Sequence, residues 1–247
     1  MELSIIALFL LTLLGGLAVF IVPKFNSSYF QLSLVFAGSY LFSITVIHIL
    51  PDLFLHQSSV PHLGIYVLLG FFLQVIIEYF SEGVEHGHLH QHKNEHNHKP
   101  NQWIGLLIAL CTHAFLEGTL LAHPQALHNH GQDHSVFLGI LMHKIPAAFA
   151  LMSVITCHIH AKWKTILILA IFSLASPIGI ISSNIFHEAG YFSENFFAIL
   201  FAVVSGNFLH ISTTIFFESS PNHKLSYNKL LVAGGAAIIA VLAEFWM

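Results

Sequence analysis

The chain has 247 residues, 55% of them hydrophobic and 8% charged, with no Arg, 8 Lys and a formal charge of −4 when His is neutral. A soluble domain carries about 25% charged residues, so too few polar side chains remain to cover a water-facing surface and much of it must face lipid. The charge offers nothing to a nucleic-acid partner. The two Cys, Cys111 and Cys157, both fall in apolar stretches and make no disulfide framework.

A helix crosses the hydrocarbon core in about 20 residues. Eight stretches qualify, and they predict an all-α integral membrane protein with one polytopic domain, residues 1–247. They run Leu3–Val22, Phe30–Leu50, Leu63–Phe80, Trp103–Ala122, Val136–Thr156, Trp163–Asn184, Glu194–Phe217 and Leu230–Trp246. The first lacks the basic start and small-residue cleavage site of a secretory signal, so it is read as a mature membrane helix. Backbone groups in lipid must be satisfied within the segment, which demands helices. A barrel would show shorter, alternating segments.

The lysines orient the chain. Lys24, Lys93, Lys99, Lys162, Lys164, Lys224 and Lys229 all follow odd-numbered helices, while the even loops hold Asp52, Asp133, Glu188 and Glu194. The positive-inside rule places the odd loops in the cytoplasm and both termini outside. The membrane itself is left open: a bacterial inner membrane, or a eukaryotic plasma or organelle membrane.

His is the compositional outlier, at 20 residues. The segment 82–101, between helices three and four, reads EGVEHGHLHQHKNEHNHKPN and carries His86, His88, His90, His92, His96 and His98. It is read as a His-rich cytoplasmic loop that binds transition metals weakly. A smaller group, His123, His128, His130 and His134 with Asp133, falls in the outer loop after helix four.

The chemistry concentrates on helices four and five. An ionisable group at the bilayer centre costs ~2.5 kcal/mol or more and marks an ion or substrate path. His113 and Glu117, spaced i, i+4, share one helix face. His143 on the next helix supplies a third ligand. Imidazole nitrogen and carboxylate oxygen suit Zn²⁺ and its first-row neighbours. Pro146 and Pro177 each free a carbonyl one turn back, those of Met142 and Ser173. A structural Lys144–Glu117 ion pair is the plain alternative, and it does not exclude a metal. Glu117 is taken as the only mid-membrane carboxylate. His48 and Asp52 in HILPD form a further i, i+4 pair near the outer end of helix two, read as an entry contact or as helix capping. His210 is read chiefly as a packing or hydrogen-bonding residue, with a pathway role open. Cys111 lies off the His113–Glu117 face and is not taken as a ligand.

In order along the chain, these motifs resemble those of the ZIP (Zrt/Irt-like) divalent-metal transporters. HILPD is similar to the family's His-x-x-Pro-acid, and LLGFFLQVIIEYFSEGVEHGHLH to its Gly-Phe run into a His-rich loop. HAFLEG, HKIPAA, SPIG and SGNFLHIS stand where the family carries its motifs of helices four to seven. The resemblance implies eight helices, both termini outside, a His-rich loop after helix three, and an elevator-like slide of the helices four-and-five group. It also implies a two-metal site across helices four, five and six. Of those ligands His113, Glu117 and His143 match. Four positions depart: Ala114 replaces Asn, Lys144 a polar or acidic residue, Ala147 an acid, and Ser176 the acid before Pro.

The expectation is therefore a one-metal site, with Lys144 roughly where relatives hold a second cation, and water or Ser176 completing the shell. Function is expected to be transport of Zn²⁺ into the cytoplasm by alternating access, with Fe²⁺, Mn²⁺ or Cd²⁺ open and no organic cofactor. The partners are the divalent ion and the lipid bilayer, and a homodimer is left open. An intramembrane metal hydrolase, with Glu117 as base, and a metal sensor that binds without transport are the alternatives; no HExxH is present.

Overall fold

The computed structural model describes residues 2–21, 27–56, 60–81, 102–122, 133–191, 193–218 and 226–246. Among them every regular element is a helix, with no strand. Eight helices appear in chain order. They are α1 (Glu2–Leu17, tightened at its end by a 3₁₀ turn, Ala18–Phe20), α2, α3 (Leu63–Ser81), α4 (Gln102–Leu121), α5 (Asp133–His158), α6 (Lys162–Glu188), α7 (Glu194–Glu218) and α8 (Tyr227–Trp246). The second, α2, is one run: α-helical over Ser27–Ile44, π-helical over Thr45–Ile49, and α-helical again over Leu50–His56. Seven of these are long and apolar enough to span a bilayer, and Leu63–Tyr79 is a shorter apolar helix. The segment 82–101 with its six His candidates, the residues His123, His128 and His130, and Lys24, Lys93, Lys99 and Lys224 lie outside the described residues.

The apolar exteriors follow from lipid as solvent. Leu3, Ile65, Leu68, Phe72, Ile76 and Ile238 are all more than half exposed. Between helices, small residues replace them, because without a hydrophobic driving force helices associate by close backbone approach. A Cβ on Gly118 of α4 would fall 2.1 Å from the Ser176 carbonyl oxygen, and one on Gly179 of α6 would fall 2.3 Å from that of Phe115. Gly70 of α3 and Gly206 of α7 make the same kind of crossing against Val203 and Val67.

The most extensive helix contacts sort the bundle into two groups. One comprises α1, α4, α5 and α6, the other α2, α3, α7 and α8. They meet chiefly through α2 against α5 and α3 against α4. In the first group α1 and α6 pack with α4 and α5. Both prolines are accommodated within continuous helices, Pro146 in α5 and Pro177 in α6.

Candidate metal centre

Glu117 organises the interior. One turn of α4 places it below His113, and α5 brings His143 and Lys144 across from it. His113 Nε2 lies 2.8 Å and His143 Nε2 2.5 Å from the same carboxylate oxygen, Glu117 Oε1. Lys144 Nζ donates to the other oxygen, Oε2, at 2.8 Å. Glu117 and Lys144 are each 1% exposed, and both histidines are buried.

Each oxygen of the carboxylate therefore has a separate task. Oε2 is held by a cation fixed to the protein. Oε1 is shared with two imidazole nitrogens, a set that suits a borderline-soft divalent cation. His143 Nδ1 faces the Gly139 carbonyl at 3.0 Å. That carbonyl only accepts, so Nδ1 donates to it, which leaves Nε2, on the Glu117 side, as the nitrogen that can serve a metal. A hydrogen bond on the far nitrogen is how metal-binding imidazoles are commonly oriented. Among the described residues this is the one group of three His, Cys or acidic side chains whose ligand atoms all lie within 4.8 Å.

The cavity at the cluster holds about 20 Å³, close to the room of one water molecule. Ala114 and Ala147 line it beside the triad and Lys144. Phe172 closes one side, its ring centroid 5.6 Å from Lys144 Nζ. Ser176 does not join the cluster. Its hydroxyl donates to the Ala114 carbonyl at 2.6 Å and ties α6 to α4.

The pathway candidates find partners the sequence reading missed. The structure pairs His48 with Glu244 of α8: His48 Nδ1 lies 3.1 Å from Glu244 Oε1. His48 sits in the π-helical turn of α2, an irregularity that recurs at functional sites. Asp52 forms no three-residue ligand cluster with this pair. His210 Nε2 lies 3.4 Å from Glu78 Oε2 of α3, its ring meets Phe71 edge-on at 4.9 Å, and it is not among the residues lining the triad cavity. Two further carboxylates thus lie within helices, each near the end of its apolar stretch rather than at its middle like Glu117. Glu78 and Glu244 fall inside apolar stretches three and eight, and each was legible as an acid needing a partner.

The family profile described as "ZIP Zinc transporter" matches residues 1–103 and 81–243. The chain belongs to the ZIP zinc transporter family. It is also similar to Protein zntD of Dictyostelium discoideum, at 29% identity over 169 residues, 64% of this chain. That match spans 24% of the zntD sequence, so the chain corresponds to about a quarter of that protein. Membership of a family of transporters sets aside the hydrolase alternative.

Proposed function

We propose that the chain carries a divalent transition-metal ion, Zn²⁺ first, across the membrane into the cytoplasm through the His113–Glu117–His143 centre. The observation that carries this reading is the convergence of two imidazole nitrogens on one carboxylate oxygen, buried between membrane helices. Fe²⁺, Mn²⁺ and Cd²⁺ share this ligand chemistry, and selection among them rests on geometry and availability.

One ion is bound at a time. The small cavity supports this, as does Lys144, whose ammonium neutralises Glu117 and occupies its second oxygen. Three protein ligands hold the ion loosely enough to release it, with water completing the shell. Alternating access then follows from the two helix groups. The group of α1, α4, α5 and α6 carries the ligands and moves against α2, α3, α7 and α8, with the His48–Glu244 pair as an outer entry contact. The lysine distribution supports both termini outside and the His-rich segment inside, where the ion is released.

Zinc uptake into proteoliposomes containing an entrapped fluorescent chelator tests this reading. Uptake above protein-free vesicles is expected. Zinc bound stoichiometrically by the purified protein with no uptake would establish the sensor reading instead.

A further inference from the structure

Asn207 lies in the middle of α7, next to two residues with defined neighbours. A Cβ on Gly206 would fall 1.9 Å from the Val67 carbonyl oxygen of α3, so the backbones touch there. On the other side, the Phe208 ring meets the His143 ring at 6.4 Å between centroids. The Asn207 side chain is 0% exposed, and neither Oδ1 nor Nδ2 has a hydrogen-bond partner among the described residues. Its polar neighbours on α7 behave otherwise. Ser205 donates to the Phe201 carbonyl at 2.6 Å, Ser212 to that of Phe208 at 2.6 Å, and Thr213 to that of Leu209 at 2.7 Å.

An unpaired buried amide group costs about 1–3 kcal/mol. An apolar residue would avoid that cost, so the carboxamide calls for a partner that arrives in another state. Its register says what that partner is. Residues four apart share a helix face, and Ile211, one turn on, lines the cavity of the triad together with Ile215. Asn207 therefore continues the stripe of α7 that faces the metal ligands, one turn beyond the cavity. It also stands on the helix group opposite to the one bearing the triad, held against α3 by the Gly70 and Gly206 crossings.

We propose that Asn207 is a cargo-contacting residue, whose carboxamide oxygen coordinates the divalent ion when the triad has moved one turn along α7. This rests on the transport reading above. A neutral oxygen donor suits the role: it replaces one water of the ion's shell and adds no charge that would trap the ion.

The test combines two readouts on Asn207→Leu and Asn207→Asp: thermal stability of the metal-free protein in detergent, and zinc-uptake kinetics in proteoliposomes. The Leu variant is expected to be at least as stable as wild type, because an unpaired amide has gone. Its KM for zinc should nonetheless rise by about tenfold or more, on the scale of losing one supporting contact to a metal. Asn207→Asp keeps an oxygen there and should not raise KM, while its added charge should slow release and lower the maximal uptake rate. A stable Leu variant with wild-type KM would show the carboxamide idle and overturn the proposal. A destabilised Leu variant would reveal a structural hydrogen bond and overturn it too. A wild type that carries no zinc would overturn the transport reading and this proposal together, whereas wild-type uptake with an unmoved KM in the variant overturns this proposal alone.

Discussion

Lys144 Nζ donates to Glu117 Oε2 at 2.8 Å, deep between α4 and α5, while the other carboxylate oxygen faces two histidines. The membrane interior thus holds a carboxylate with its own counter-ion. Breaking a buried pair by removing one partner is strongly destabilising, because the other charge is left uncompensated. On the proposed one-ion reading, Lys144 is a permanent occupant of half the site.

Replacing Lys144 by Glu exchanges that occupant for another ligand. Bound zinc per chain, measured by elemental analysis of purified protein, should rise above the wild-type value. Unchanged metal content in Lys144→Glu would count against Lys144 standing in for a second ion.

Removing the cation without adding a ligand should give a different signature. Lys144→Met leaves Glu117 alone with the histidines, a loss of about 3–5 kcal/mol by analogy with other broken buried pairs. Zinc should then raise the thermal midpoint of the variant by more than that of wild type, because the ion takes over the charge balance. Equal zinc-induced shifts in the two proteins would contradict this.

The close crossing of α4 and α6 should tolerate no side chain at Gly118. A Cβ there meets the Ser176 carbonyl oxygen at 2.1 Å and its carbon at 2.9 Å, and both are backbone atoms that cannot rotate away. Gly118→Ala is expected to cost on the order of 1–3 kcal/mol, as overpacking does, and to weaken zinc binding at the adjacent Glu117. Gly64→Ala, which meets nothing within 4 Å, is the control. Equal thermal midpoints for the two variants would refute the packing argument.

Protons compete with metal for imidazole nitrogen. Since His charges within about pH 5 to 8, zinc uptake should fall as the outside pH is lowered from about 7 to 5. The sign is fixed: a protonated His113 or His143 has no lone pair to give at Nε2. A flat uptake rate across that interval would remove both histidines from the ligand set.

The eight helices were legible because apolar runs of membrane length are hard to read otherwise. The triad was legible because His113 and Glu117 sit one turn apart in such a run, with His143 alone in the next. What the sequence hid was partnership across distance. His48 has Asp52 one turn away in sequence, yet its ring reaches Glu244, 196 residues on. No local spacing encodes the packing of α2 beside α8. The hydrogen bond of Ser176 was hidden for a related reason. The residue stands in line with a ligand position of the family, but its short hydroxyl is bonded to the Ala114 carbonyl at the glycine crossing. Asn207 gave no signal beyond being an amide in an apolar helix; that it has no hydrogen-bond partner among the described residues emerged only with the packing of α7.

The most direct measurement of the central claim is zinc flux into proteoliposomes reconstituted with equal amounts of wild type and Glu117→Ala. Uptake by wild type that disappears in the variant is the expected result, and it places Glu117 on the path of the ion. Undiminished uptake by Glu117→Ala would contradict the account, because the oxygen on which both histidines converge would then be dispensable.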